Sequence, residues 1–173
     1  MALNKQLLAQ IIEEKLKPLV KKVDEQAHYA ESYILALGEG GFFQSANKDQ
    51  SSLLVDEATV VRETAKVCMT TAFCVWCHLA ALTYLRNSDN AYLKNEVLPQ
   101  LENGVKLGAT GLSNAMKYYS GLEKLHLTAK KTEEGYIING TLPAVSNLGN
   151  RHYFGAIATI DTREVMVLVS TDA

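Results

Sequence analysis

The sequence predicts an α+β protein: an all-α helical N-terminal domain over residues 1–104, then an incomplete antiparallel β-barrel domain over residues 105–173. Three observations lead there. Up to Gly104 the apolar residues recur at three- and four-residue steps, the spacing of one helical face. Beyond Gly104 they come in short runs rich in β-branched and aromatic residues, bounded by turn formers. The last run, MVLVSTDA, reaches the final residue, leaving a sheet too small to close a barrel with both faces covered.

The chain opens on a helical stripe of Leu3, Leu7, Leu8, Ile11, Ile12, Leu16, Leu19, Val20 and Val23, with Lys and Glu outside it. Pro18 should bend or divide this helix, because it lacks an N–H and its ring crowds the turn before it. A second helix is expected from Asp24 to Leu37, ended by Gly38, Gly40 and Gly41. Gly41-Phe42-Phe43 reads as a turn with its rings inward, and Asn47 to Ser52 as a polar loop.

The longest apolar-periodic stretch, Ala58 to Leu85, predicts one long central helix. Val61, Ala65, Cys68, Ala72, Val75, Leu79 and Leu82 share one face, and Met69, Phe73, Trp76, Ala80 and Tyr84 on the other should be wrapped by protein. Asp56 and Glu57 suit its N-terminal dipole and Arg86 its C-terminal end. Short helices fit Ala91 to Asn95 and Val97 to Asn103. Strands are expected at Lys106–Leu112, Leu125–Lys130, Tyr136–Asn139, Thr141–Val145, Tyr153–Ile160 and Val165–Ser170. Lys131 to Gly135, with Glu133-Glu134 at a solvated tip, is a turn, and Asn139-Gly140 is a hairpin signal.

Composition narrows the partners. With 17 Lys and Arg against 19 Asp and Glu, no basic stripe offers itself to phosphates, so nucleic acid is not an expected partner. Val67 to Leu85 carries no charge, but its threonines, cysteines and His78 argue for a buried helix over a membrane span. No secretory signal opens the chain, and three cysteines make no disulfide scaffold, so a reducing cytoplasm is the expected location.

Cys74-Val75-Trp76-Cys77-His78 matches a C-x-x-C-H pattern shared by haem attachment, redox pairs and zinc sites. Both thiols fall deep inside a helix, away from the N-terminal dipole that activates a redox pair, and only Cys68 is near enough to add a ligand. The expectation is core packing and no metal. His28, His126 and His152 are scattered and read as structural. Tyr118-Tyr119-Ser120-Gly121, two aromatics and a hydroxyl in a loop after a strand, is a candidate ligand contact, with Tyr119 and Ser120 assigned to substrate.

A series of these residues carries a resemblance. Asp24-Glu25, Gly41-Phe42-Phe43, the central helix with His78, Leu98-Pro99-Gln100-Leu101, Leu107 to Ser113, and above all Gly135-Tyr136-Ile137-Ile138-Asn139-Gly140-Thr141 with Ser146-Asn147 stand in the order seen in the acyl-CoA dehydrogenase family. The chain resembles that family's helical N-terminal domain and roughly half of its β-barrel middle domain. The resemblance implies FAD, hydrogen removal from C2 and C3 of an acyl-CoA thioester, an electron-transfer flavoprotein as redox partner, and a homo-oligomer.

The family's flavin-contacting Thr-Glu-Pro strand end falls on Leu112, Ser113, Asn114 and Ala115, keeping a hydroxyl. Its Trp-Ile-Thr, which covers the flavin ring, falls on Ala144, Val145 and Ser146, keeping a hydroxyl and losing the aromatic cover. Leu112, Ser113, Ala144 and Ser146 are therefore the implied cofactor contacts. The family's catalytic glutamate belongs to a C-terminal helical bundle, so no residue here is assigned to catalysis, and the chain reads as the N-terminal portion of a longer enzyme. A flavin monooxygenase of the same superfold and a non-catalytic association module remain open as alternatives.

Overall fold

The computed structural model describes residues 3–133 and 135–172; Glu134, expected at the turn tip, lies outside them. The chain divides into two compact units, Met1–Leu107 and Gly108–Ala173. Helices fill the first, and strands with one short helix fill the second.

The first unit begins with α1 (Lys5–Ile11), capped by the Asn4 carboxamide on the Leu7 N–H at 3.0 Å. The helical path then widens into a π turn at Ile12–Leu16, tightens to a 3-10 turn at Lys17–Leu19, and resumes as α2 (Val20–Gln26). Pro18 accounts for the irregularity: with no N–H to give and a ring against the preceding turn, it forces the bonding register to change around it. A similar widening precedes Pro99, without the 3-10 turn. A π turn at Leu93–Val97 leads there into α6 (Leu98–Glu102).

The expected second helix, Asp24 to Leu37, is in fact split. Asp24 to Gln26 finish α2, Ala27 takes a left-handed conformation (φ 51°, ψ 33°), and α3 runs Glu31–Glu39. Gly38 of α3 lies against Gly104, where an added Cβ would come within 2.5 Å of the Gly104 Cα. Gly104 itself sits at φ +69°, so both positions admit only hydrogen in place of a side chain. Phe42 and Phe43 are buried, as their turn required.

The single central helix is corrected to two, α4 (Gln50–Ala65) and α5 (Met69–Arg86). The Thr64 carbonyl accepts from both the Val67 and Cys68 N–H groups, at 3.0 and 2.9 Å, and Cys68 turns extended (φ −150°, ψ 109°) before α5 begins. Asp56 and Glu57 therefore lie inside α4, where Asp56 pairs with Lys48 at 2.9 Å, and do not serve a helix start. The wrapped face is corrected too. Val75, Cys77, His78, Leu79, Ala81, Leu82 and Leu85 are buried, but Met69, Phe73 and Trp76 are exposed, Trp76 by 51%.

Two polar contacts tie this unit together. Thr64 donates its only hydroxyl proton to the Val60 carbonyl at 2.8 Å, so the buried Tyr33 phenol, 2.6 Å from the Thr64 oxygen, must be the donor in that second bond. Arg86 reaches three segments at once. Its Nη1 donates to Glu57 Oε1 at 2.6 Å, its Nε and Nη2 to Glu102 Oε1 at 3.2 Å, and its Nη2 to the Phe43 carbonyl at 2.6 Å. Ser45 adds its hydroxyl at 2.5 Å and its N–H at 3.1 Å to the same Glu102 oxygen.

The second unit is built on β1 (Leu107–Thr110), α7 (Ser113–Tyr119), β2 (Leu127–Lys131), β3 (Tyr136–Gly140), β4 (His152–Ile160) and β5 (Arg163–Ser170). Among the described residues the expected antiparallel barrel is corrected to an open mixed sheet of five strands. β5 lines one edge of β4 antiparallel from Tyr153 to Ile160, so β1 and β2 share the other edge, β2 running parallel at Thr128–Thr159. β2 and β3 form an antiparallel hairpin closed by the Thr132 N–H on the Gly135 carbonyl at 2.8 Å. Asn139-Gly140 is not a hairpin turn: both residues pair within the ladder, opposite Thr128 and Leu127. Gly140 (φ +132°) is required because a Cβ there would fall 2.1 Å from the His126 carbonyl oxygen. Thr141 to Val145, expected as a strand, joins no ladder. Leu127, Ala129, Ala156 and Ala158 form the buried face, with Ile138, Leu142, Phe154, Ile160, Val165 and Val167 packed around them.

Two tests follow from the helical unit. Arg86→Met leaves Glu57 and Glu102 buried without their cation and should cost about 3–5 kcal/mol in a urea melt; a loss under about 1 kcal/mol, the range of exposed pairs, would show that the network does not hold the helices. Burial pushes the Tyr33 phenol up to about 12. The unfolded chain thus releases this proton first, and stability present below pH 10 should fall by up to about 1.4 kcal/mol per pH unit between pH 10 and 12. Denaturant melts across that window should lose this slope in Tyr33→Phe.

Candidate functional site

The residues implied as cofactor contacts meet at one end of β1. Thr110 and Ser146 exchange backbone hydrogen bonds, each N–H to the other's carbonyl at 3.0 Å. That bridge sets the Ala144–Ser146 segment beside the point where β1 gives way to Gly111, Leu112 and Ser113. The segment is anchored on its far side as well. The Asn147 carboxamide donates to the Gly108 carbonyl at 2.8 Å, and the Asn147 carbonyl lies 2.7 Å from His152 Nδ1.

Gly111 donates to the Gly155 carbonyl at 2.8 Å, and a Cβ there would meet Leu142 Cδ1 at 2.9 Å. Leu142 thus fills the space beside the turn from strand to helix. Ser113 is not on a strand: Leu112 has αR angles (φ −88°, ψ −3°) and Ser113 opens α7. Ser113 and Ala144 are exposed, while Leu112 and Ser146 are half-buried. The structure therefore gathers Leu112, Ser113, Ala144 and Ser146 around the end of β1.

Tyr119 and Ser120 are elsewhere. They stand at the opposite end of α7, about 10 Å along its axis at 1.5 Å per residue. Tyr118 and Tyr119, expected in a loop, belong to that helix. Ser120 gives its hydroxyl proton to the Met116 carbonyl at 2.9 Å. The Tyr118 and Tyr119 phenols both donate to the Glu164 carboxylate, at 2.7 and 3.3 Å, with the rings edge to face at 5.2 Å. The hydrogen bond and then the charge of Glu164 raise the Tyr118 phenol; partial desolvation and then Glu164 raise Tyr119.

Two residues of this region escaped sequence reasoning. Glu164 carries no local signal, being one charge beside the expected Val165–Ser170 strand. Asn114 is buried and binds the following turn, donating to the Lys124 carbonyl at 2.9 Å and accepting from the His126 N–H at 3.0 Å. An asparagine in the first turn of a helix, with a Gly-containing loop after it, was the available signal.

Cys77 and His78 are buried inside α5 and Cys74 is half-buried, with the His78 ring 4.4 Å from that of Phe43. Among the described residues no group of three His, Cys, Asp or Glu side chains could hold a metal ion. No helix of the described residues is long and apolar enough to cross a membrane.

Comparison with known proteins matches residues 3–105 to the family model "Acyl-CoA dehydrogenase, N-terminal domain". No curated protein sequence matches the chain. Solved structures share its fold. The electron transferring flavoprotein of Acidaminococcus fermentans superposes with a TM-score of 0.80 at 20% identity, over 96% of this chain and 46% of that one. Butyryl-CoA dehydrogenase from Megasphaera elsdenii gives 0.77 at 22%, over 95% and 46%. An acyl-CoA dehydrogenase from Bacillus anthracis complexed with FAD gives 0.74 at 21%, over 97% and 30%. The chain thus spans less than half the length of each.

The Tyr118–Glu164 pair supplies a test of the site's second cluster. In Glu164→Gln the carboxylate charge is gone, so Tyr118 should ionise at lower pH than in the wild type, read from its ring carbon by tyrosine-labelled NMR. An unchanged Tyr118 titration would mean that the carboxylate does not hold the end of α7 in solution.

Proposed function

Because this chain belongs to the acyl-CoA dehydrogenase family, we propose that it is the N-terminal portion of a flavoprotein that removes hydrogens from C2 and C3 of an acyl-CoA thioester. The observation that carries the reading is the Thr110–Ser146 bridge. Through it, two hydroxyl-bearing residues, matched to the family's flavin contacts from separate parts of the sequence, lie at one strand end. The FAD held by the Bacillus anthracis protein of the same fold supports the cofactor.

The donor set fits one side of that cofactor. A flavin's pyrimidine edge presents nitrogen and carbonyl acceptors, and the Ser113 and Ser146 hydroxyls are donors of the right kind. Its ring face asks for an apolar surface, and here Ala144 and Leu112 offer a methyl and an isobutyl group in place of an aromatic cover. When bound, FAD supplies the two-electron acceptor. The chain's own part is to hold and orient. Ser146 is positioned by a paired backbone, Ser113 by the start of α7, and the Gly111 turn by Leu142 and the Gly155 carbonyl. Tyr119 and Ser120, at the other end of α7, are placed on the substrate side of the same reading. Association into a homo-oligomer and an electron-transferring flavoprotein as redox partner belong to it as well.

The test is an absorbance spectrum. Full-length protein from the same gene should purify yellow or take up added FAD, and Ser113→Ala combined with Ser146→Ala should weaken FAD binding about thirtyfold, two hydrogen bonds at roughly 1 kcal/mol each being at stake. A colourless protein that takes up no FAD sinks the reading.

A further inference from the structure

We propose that the helical unit carries a second binding site, for a small uncharged molecule with an apolar body of about ten heavy atoms and one hydroxyl or carbonyl group. It lies in the cavity between the turn that joins α2 to α3 and the first turns of α5. The cavity measures about 290 Å³. At roughly 30 Å³ per water in the liquid, that is room for about ten heavy atoms.

The lining selects the chemistry. Val23, Ala30 and Ile34 form an apolar floor, each of them buried. Thr70, Thr71 and Cys74 form the facing wall, with His28 and Tyr29 completing the lining; the Thr71 hydroxyl gives its proton to Cys68 Sγ at 3.2 Å and keeps its oxygen as an acceptor. Burial and the neighbouring Cys68 raise the Cys74 thiol, which keeps that wall neutral. Among the described residues no Asp, Glu, Lys or Arg lines the cavity, and its one imidazole, His28, stands exposed to water at the edge, so an ionic ligand would give up water for little counter-charge in return. A hydroxyl or carbonyl, by contrast, can exchange hydrogen bonds with threonine and leave its carbon body on the floor.

The mouth is formed by a strained segment. Ala27 lines the cavity in the left-handed conformation, which its Cβ disfavours and glycine would adopt freely. A residue held in that conformation costs stability, and such costs concentrate where a surface is kept for binding.

The experiment is amide-resolved NMR of the 173-residue chain titrated with cyclohexanol, with cyclohexanecarboxylate as the charged control. The expected result is saturable shifts confined to residues 23–34 and 70–74, at least about tenfold weaker binding in Thr70→Trp, which narrows the exposed rim, and in Cys74→Leu, which fills the wall, and no binding of the carboxylate at the same concentrations. The rim variant keeps the test valid if the wall variant misfolds. Shifts that do not saturate or fall elsewhere, affinity unchanged by the variants that fold, or equal binding of the carboxylate would each overturn the proposal. Flavin uptake plays no part in the readout, so it stands apart from the dehydrogenase reading.

Discussion

The helical unit depends on one cation serving more partners than it has charge for. Arg86 at the end of α5 faces Glu57 of α4, Glu102 of α6 and the carbonyl of Phe43, all from a side chain only 13% exposed. A guanidinium suits this because its donors are fixed in one plane, so three acceptors in different directions determine where three backbones must stand. Two carboxylates on one cation leave an excess negative charge in a poorly solvated place. The Ser45 hydroxyl and N–H, both aimed at Glu102, supply the missing donors. A network of this kind is stable only when complete, which links the Phe43–Ser45 turn to helices distant from it in sequence.

Much of this architecture can be read in the amino acids and some of it cannot. The change of apolar period at Gly104 separates helices from strands because side-chain spacing is a local property, and Pro18 marks an irregular helix because its missing N–H is local too. The break between α4 and α5 is different. No glycine or proline stands at Lys66 to Cys68; the chain leaves the helix where the Thr64 carbonyl takes two donors and its side chain is held by Tyr33, a residue thirty-one positions away. Periodicity also says that Phe73 and Trp76 share a face without saying whether anything covers it. Asn139-Gly140 misleads for a related reason. Its glycine answers to the close approach of the His126 carbonyl and not to a turn.

The candidate site was legible as residue types and illegible as geometry. Ser113 and Ser146 were named from a resemblance in sequence order, yet their nearness rests on the Thr110–Ser146 bridge, a pairing of backbones that no side chain announces. The helix that begins at Ser113 was unexpected because its stabilisers act at a distance: Asn114 binds the turn at residues 124–126, and Glu164 receives both phenols at its end. Tyr119 and Ser120, close to Ser113 along the chain, are carried away from it by that same helix.

The placement of β4 gives the sheet unit an uneven timescale. β4 is hydrogen-bonded to β5 along one edge and to β1 and β2 along the other, whereas β3 and β5 pair on a single side among the described residues. An outer strand can lift away and return while the rest stays folded, so its amides trade protons with water often; those of β4 must wait until neighbours on both flanks have let go. The backbone from Phe154 to Thr159 is therefore the slow clock of this unit, and the strand ends around it are where its breathing begins.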